Sequence, residues 1–399
     1  MTDASIQHIL DYLDSKRPDT PCLVVDLGLV ERRFREFTAT FPDTDVYYAV
    51  KANPHLEVIR TLVDLGASFD VASPGEIDLC LEAGASPERL SYGNTIKKRR
   101  DIAYAYSCGV RTFVFDSAQE LEKIAAAAPG SQVLCRIRVS SEGARWSLSE
   151  KFGCGRALAC ELLRTARSRE LVPYGVAFHI GSQQQKPERW NDGIAEAARV
   201  FHELACEGIA LEVLNLGGGF AAQYRDSIPN LESYRESIET AVSLNFPDTP
   251  RPQLAAEPGR HLVADAGVLR SEIVLVADGG ERDGRRWVYL DIGRFGGLAE
   301  TDGEAIQYRL STSRGERPEE AANIAGPTCD SADVLYRDAH YLLPTGLAAG
   351  DHIDIHSAGA YTTSYASVGF NGMPPPDVHC IGATQQAPRH TDSAGTESQ

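Results

Sequence analysis

One lysine, one histidine, a glycine triplet and an acid–arginine pair stand out because each closes a short apolar run. Lys51 ends Y-Y-A-V-K-A-N, and His179 lies in F-H-I-G-S-Q. Gly217, Gly218 and Gly219 follow L-N-L, and Glu257-Pro258-Gly259-Arg260 follows Q-L-A-A. A lysine at the end of a buried strand is costly to desolvate unless it is paired or reacts, and its amine can condense with an aldehyde. Successive glycines let backbone N–H groups turn toward an anion with no Cβ in the way, and Arg260 adds a fixed cation. A carboxylate such as Glu257 can hold the proton on a ring nitrogen, so that the ring withdraws electrons from a bound substrate. The flat ring of His179 can stack on such a ring. Each residue also has a plainer reading: a snorkelling lysine, a tight glycine turn, a carboxylate salt-bridged to a nearby arginine, a hydrogen-bonded core histidine. Taken together, the glycines and Arg260 favour phosphate binding. A dinucleotide fold is disfavoured, because its glycine fingerprint belongs in the first βα turn.

These residues need elements that bring strand ends together. Apolar β-prone runs occur at Val46–Val50, Ser68–Ala72, Leu90–Gly93, Thr112–Phe115, Gln132–Val139, Tyr174–Ile180, Leu211–Leu216 and Gln253–Glu257. Between them, segments such as His55–Leu65, Ile77–Ala83, Asp101–Ser107, Ala118–Ala128, Ala157–Ser168, Trp190–Cys206 and Asn230–Leu244 space apolar residues by three and four. Continuous apolar runs suit parallel strands covered on both faces. Eight strand–helix units predict an α/β fold, a (β/α)8 barrel over residues 28–265, with a doubly wound open sheet as the rival. Chemistry in such a barrel sits at the C-terminal strand ends, where Lys51, Asp70, Arg136, His179, Gly217–Gly219 and Glu257–Arg260 fall. After Ala264 the rhythm changes. Val268–Ala277, Arg286–Ile292, His352–Ser357 and Val378–Ile381 read as strands of a separate β domain, assigned to residues 1–27 and 266–383, with Cys22–Asp26 pairing into it. The polar stretch 384–399 reads as a disordered tail.

Composition narrows the class. A chain of 399 residues with 43% hydrophobic content can bury a large core and suits one large domain plus a smaller one. It has no run of about 18 apolar residues for a membrane span, and its start reads as no signal peptide. A net charge of −17, with Lys97-Lys98-Arg99-Arg100 the one basic run and read as a solvated helix, argues against nucleic acid as a partner. The nine cysteines are scattered and never spaced C-x-x-C, which predicts free thiols in a reducing cytoplasm and no metal site.

In combination, YYAVKAN, SFDVASPGE, SYGNTIKK, KFGCG, FHIGSQ, LGGGF, EPGRHLVADAG, GPTCDSAD and GAYT resemble the ornithine/lysine/diaminopimelate decarboxylase family of fold type III pyridoxal-phosphate enzymes. The resemblance runs from about Pro21 to Ile381. GPTCDSAD, FGGLAETDGEAIQY and SYGNTIKK look like bacterial ornithine decarboxylases. The resemblance implies an alanine-racemase-like barrel with a C-terminal β-sandwich or β-barrel domain, pyridoxal 5'-phosphate as cofactor, and a cytoplasmic homodimer with shared active sites.

By the same resemblance, Lys51 bonds the cofactor, Glu257 pairs with its ring nitrogen and His179 stacks on the ring. Ser182, Gly217, Gly218, Gly219, Gly259, Arg260 and Tyr361 hold the phosphate, and Asp70 and Arg136 order the surroundings of Lys51, with Glu76 behind them. Cys329 donates a proton to Cα and Asp330 attracts the distal ammonium of the substrate, both reaching a second copy's site, where Lys151 and Asp333 pair across the interface. No Y-D-H-A segment, which supplies a second aspartate in animal-type relatives, is present. Glu300, Asp302 and Glu304 are candidates to replace it, with Glu300 assigned to the substrate. The implied reaction is L-ornithine to putrescine, with L-lysine to cadaverine as a second activity. The alternatives are a decarboxylase acting on another or a carrier-bound amino acid in a specialised pathway, an inactive regulatory homologue, and a barrel racemase, which would want a two-base arrangement about Cα.

Overall fold

In the computed structural model of the chain, residues 4–146, 151–247, 250–279, 284–314 and 318–382 are described. Eight strands close into a parallel barrel in chain order: Thr44–Ala49, Ser68–Val71, Leu90–Tyr92, Thr112–Phe115, Gln132–Arg136, Val172–Ala177, Val213–Asn215 and Gln253–Ala256, the last pairing back onto the first. Each strand falls within one or two residues of its apolar run, apart from the fifth and sixth, which end three residues earlier. Closure rules out the open-sheet rival. Side chains alternate between two faces. Val114, Leu134, Ala177, Val213 and Ala255 pack together inside the barrel. Phe113, Phe115, Val133, Cys135 and Val176 join the main core under the helices.

The helices match their amphipathic segments, and two more were not read from the sequence. Leu27–Thr40 leads into the first barrel strand and is capped by Asp26, whose carboxylate accepts from the N–H groups of Gly28 and Leu29. Ala4–Lys16 lies ahead of the first strand, in a region assigned to β structure. Lys97 also departs from expectation. Its side chain is fully buried, donates to the carbonyls of Asn94 and Val114 at 2.7 Å, and sits 3.2 Å from Glu120. Burial lowers its pKa to about 8 against the pull of Glu120. Lys98, Arg99 and Arg100 are exposed at the start of the helix Arg99–Ser107, as read for the run, whereas Lys97 is not. That lysine ties the loop after the third barrel strand to the fourth strand.

Ala144–Trp146 and Ser182–Gln184 form a two-stranded antiparallel pair, and the other eight strands form a mixed sheet. Its main path runs Leu310–Thr312, His352–His356, Gly267–Ala277, Arg286–Leu290, Glu319–Ala325 and Val334–Pro344. Cys22–Asp26 joins it as expected, antiparallel to Gly267–Arg270 and parallel to Asp377–Ile381. Leu310–Thr312, Glu319–Ala325 and Val334–Pro344 carry too many polar and small residues to announce themselves as strands. Two hydrogen bonds tie this sheet's loops to the first barrel strand end: Tyr361 N–H to the Ala52 carbonyl at 2.8 Å, and Asn53 Nδ2 to the Gly359 carbonyl at 2.9 Å. The stretch 384–399 lies outside the described residues. Among the described residues no helix is long and apolar enough to cross a membrane, and no three His, Cys, Asp or Glu side chains converge as a metal site. The nine cysteines are unbridged, and the thiols of Cys135 and Cys154 lie 3.6 Å apart in the core.

Candidate active site

The C-terminal strand ends surround a cavity of about 430 Å³ lined by Lys51, Asp70, Arg136, His179, Ser182, Gly218, Gly219, Glu257, Gly259, Arg260, Glu300 and Tyr361, among others. A larger open groove of about 850 Å³ lies between the first helix and the sheet. There Arg270 already pairs with Asp14 and Asp354.

Lys51 sits in a short 3-10 turn, Val50–Ala52, directly after the first strand. Its side chain is 47% exposed and faces the cavity, with Nζ donating to Asp70 Oδ2 at 2.9 Å. Burial disfavours its charge, but Asp70, with Tyr361 and Glu257, outweighs this and holds the ammonium well above the ordinary lysine range. Asp70 closes the second strand and is 4% exposed. Gly93 makes room for it, since a Cβ at Gly93 would lie 1.9 Å from Asp70 Oδ1. Glu76 belongs to a helix-capping arrangement. Ser73 caps the Glu76 N–H, and Glu76 Oε2 accepts from Ala72 N–H at 2.7 Å, so Glu76 fixes the turn after Asp70 without touching it.

Glu257 and Asn215 end neighbouring strands, and Asn215 Nδ2 donates to Glu257 Oε1 at 2.6 Å. Burial first, then the charge of Asp70, pushes the Glu257 pKa from 4.5 up to about 7, against the pull of Lys51, Asn215 and Arg136. A carboxyl that holds its proton more tightly folded than unfolded stabilises the fold at low pH, and that contribution is lost as pH rises through the folded pKa. The cofactor-free protein is therefore expected to lose thermal stability through this group between pH 4.5 and about 7. Glu257→Gln, which cannot ionise, should flatten that part of the profile. Calorimetry of both proteins across this range checks it, and identical slopes would refute it.

His179 is kept neutral by burial and by the charges of Arg136 and Lys51. Its Nδ1 accepts from Gly181 N–H at 3.0 Å, which assigns the proton to Nε2. Arg136 lies 5.5 Å from the centroid of the Phe152 ring, on whose π face Lys151 also rests at 4.9 Å.

The glycine triplet is demanded by packing. Gly217 and Gly219 have φ of 66° and 110°, and a Cβ at Gly218 would lie 2.6 Å from the Glu257 carbonyl. Gly217 N–H donates to Asn215 Oδ1, while the N–H groups of Gly218 and Gly219 find no acceptor among the described residues. Arg260 opens a short helix after the eighth strand. Its Nε and Nη2 reach Ser182 Oγ at 3.2 and 3.1 Å, and its guanidinium lies 4.7 Å from the Tyr361 ring centroid. Tyr361 holds a left-handed backbone, φ 55°. Gly259 packs against the first strand, where a Cβ would lie 2.9 Å from that of Ala52. Two free N–H groups, a serine hydroxyl and a buried arginine make a fitting cradle for a phosphate.

Three expectations come out differently. Glu300 is not free to hold a substrate. It is buried, and both its oxygens are taken by Arg260. Asp302 pairs with Arg294, Glu304 accepts from the N–H groups of Arg337 and Asp338, and neither lines the cavity. Asp333 is 2% exposed, with its oxygens accepting from Arg294 N–H and from Thr328, so it is committed within its own chain rather than to a pair with Lys151. Cys329 and Asp330, assigned to a second copy's site, do not line the cavity of their own chain. Both are exposed, the thiol bonded to Asn371 and Asp330 Oδ1 to Ala332 N–H. Sequence reasoning missed Asn215, Tyr224 and Asn371. Asn215 and Tyr224 follow ordinary strand ends, and only the fold brings them to Glu257 and Arg260.

A barrel whose strand ends present an acid-paired lysine, a buried carboxylate and an anion cradle defines a pyridoxal-phosphate enzyme. Residues 27–264 match the model of the pyridoxal-dependent decarboxylase, pyridoxal binding domain. The lysine/ornithine decarboxylase of Selenomonas ruminantium is 34% identical over 360 residues, 90% of this chain and 89% of that one. The lysine/ornithine decarboxylase of Vibrio vulnificus, solved with putrescine, superposes with a TM-score of 0.83 at 31% identity, over 96% of this chain and 99% of that one. The Paramecium bursaria Chlorella virus arginine decarboxylase, solved with agmatine, gives 0.86 at 28% identity over 94% of this chain and all of that one. The chain belongs to the fold type III pyridoxal-phosphate-dependent decarboxylases, the family that acts on basic amino acids.

Proposed function

We propose that the chain converts L-ornithine to putrescine and, more slowly, L-lysine to cadaverine, as a cytoplasmic homodimer whose sites are each built from two copies. The observation that carries the reading is the state of the acids in the cavity. Asp70, Glu257 and Glu300 line it, and they are engaged by Lys51, Asn215 and Arg260. A distal ammonium therefore needs a carboxylate from elsewhere. Asp330, exposed beside the exposed Cys329, can supply one to a second copy. Relatives named for lysine and ornithine support the substrate pair.

Bound pyridoxal phosphate supplies an electron sink for the pair released as CO2 leaves. The protein does the rest. Lys51 would hold the cofactor through its amine, with Asp70 pairing that amine whenever it is free. Glu257, fixed by Asn215, would keep the ring nitrogen protonated. Neutral His179 would stack on the ring without competing for that proton. Ser182, Gly217–Gly219, Gly259, Arg260 and Tyr361 would hold the phosphate, and Arg136 would order the surroundings of Lys51. Cys329 of a second copy delivers a proton to one face of Cα.

The test is a panel of L-ornithine, L-lysine, L-arginine and meso-diaminopimelate, reading CO2 and amine. Putrescine is expected to dominate, with cadaverine about 10–200-fold lower in kcat/KM, since a pocket separates one methylene by no more than that. Agmatine as the main product would overturn the substrate. Silence across the panel would move the enzyme to a specialised amino acid.

A further inference from the structure

The arginine of the phosphate cradle is already held by an anion of the protein itself. Arg260 and Glu300 have side chains 3% and 2% exposed. Nη1 donates to Oε2 at 2.7 Å and Nη2 to Oε1 at 2.5 Å, the two-pronged geometry that suits a carboxylate. Tyr224 OH takes a further bond from Nη1 at 2.8 Å. Only the Nε–Nη2 edge is left, and it faces Ser182 on the cavity wall.

We infer that Glu300 is a resident counter-ion for Arg260: it secures the arginine when no cofactor is present and loosens the grip on the phosphate when one is. The inference rests on the proposed role of Arg260 in holding that phosphate. A buried guanidinium without a partner is strongly destabilising. The phosphate comes and goes with the cofactor, whereas Glu300 stays. Carboxylate and phosphate on one guanidinium repel each other, and the interior screens them poorly. Coupling between two ligands of one group is reciprocal. Whatever Glu300 adds to the cofactor-free chain beyond what it adds to the loaded one is therefore subtracted from phosphate affinity. A substrate role fits worse, because a distal ammonium would have to break the fork. Asp302, two residues on, is 62% exposed and paired with Arg294, so it provides a control on the same segment.

The experiment compares wild type, Glu300→Gln, Asp302→Asn and Arg260→Met. Cofactor-free proteins are titrated with pyridoxal phosphate and with pyridoxal by absorbance, and melted with and without inorganic phosphate. For Glu300→Gln we expect a lower melting point without ligand and a larger rise with inorganic phosphate. Its Kd for pyridoxal phosphate should be roughly tenfold lower, in the usual range of such couplings, with the Kd for pyridoxal changed far less. Asp302→Asn should match wild type. An unchanged or higher Kd for pyridoxal phosphate in Glu300→Gln overturns the inference. If that variant does not stay folded without cofactor, the rate of cofactor loss from the loaded protein on dilution replaces the titration: slower loss is expected, and equal or faster loss overturns the inference. Arg260→Met separates the two claims. It should sharply reduce the preference for pyridoxal phosphate over pyridoxal, leaving what Ser182 and the glycine N–H groups supply. If the preference is unchanged, the role of Arg260 at the phosphate falls and the counter-ion role with it. If it is reduced while Glu300→Gln binds no tighter, only the counter-ion role falls.

Discussion

Lys51→Ala is expected to remove the covalent hold on the cofactor and lower kcat by at least about 1,000-fold, the combined loss of a nucleophile and a proton carrier. Lys51 faces the cavity on a turn, with Asp70 2.9 Å from its amine, so no other lysine is as well placed to condense there. Lys151 also lines the cavity, but it rests on the Phe152 ring and has no buried carboxylate beside it. Removing Lys51 also strands Asp70, a carboxylate 4% exposed, so the alanine variant carries a stability cost unrelated to chemistry. Lys51→Arg separates the two effects. It keeps a cation beside Asp70 but cannot condense with an aldehyde. Both variants should show the absorbance of unbound cofactor in place of the protein-bound band, and borohydride should leave no cofactor mass on the chain. A persisting bound band with a borohydride-fixed mass on Lys151 would move the assignment there.

The barrel was legible because its physics is local. Parallel strands covered on both faces need unbroken apolar runs, and T-F-V-F at Thr112–Phe115 shows the pattern at full strength. The strand-end residues were legible for the same reason, since closing the barrel gathers whatever stands at those ends. What stayed hidden depends on distant partners. Glu300 and Arg260 are 40 residues apart, and nothing near either one signals the other. Glu300 looked like a free acid in an acidic turn, the natural guess for an ammonium ligand. Lys97 looked like part of a solvated run because its acceptors, the Val114 carbonyl and Glu120, lie on another strand and helix. The strands Glu319–Ala325 and Val334–Pro344 were unread because polar and small residues break their apolar pattern: E-E-A-A-N-I-A has one large apolar residue, and R-D-A-H interrupts the second strand. Burial of Asp333 was likewise invisible, since its partners are backbone groups of two loops that only the folded sheet brings together.

Mixing two nearly inactive proteins, Lys51→Ala and Cys329→Ala, is expected to restore activity to about a quarter of wild type, because random exchange of a symmetric dimer makes half the dimers hybrid and gives each hybrid one intact site. In a single chain the cavity holds Lys51 but not Cys329, which is exposed and bonded to Asn371. Each variant alone thus lacks one member at every site, whereas a hybrid concentrates both defects at one site and leaves the other whole. The quarter is the value for random exchange; preferential homodimer formation would lower it, and preferential hybrid formation could raise it to at most about a half. Cys329→Ala alone should also change the product. With no thiol to protonate Cα, some turnover should end with the proton on the cofactor carbon, and the amine would appear as an aldehyde. Dimer exchange must be shown independently, for example by mass-tagging one variant. Exchange without recovery would mean that each chain completes its own site, and Cys329 would then have to reach the cavity of its own chain. Recovery above about a half, more than hybrids alone can supply, would mean that one of the two variants was never inactive, which removes that residue from the mechanism. Recovery near a quarter, together with aldehyde from Cys329→Ala, would place the thiol of one copy over the lysine of the other and make the dimer, rather than the chain, the unit of catalysis.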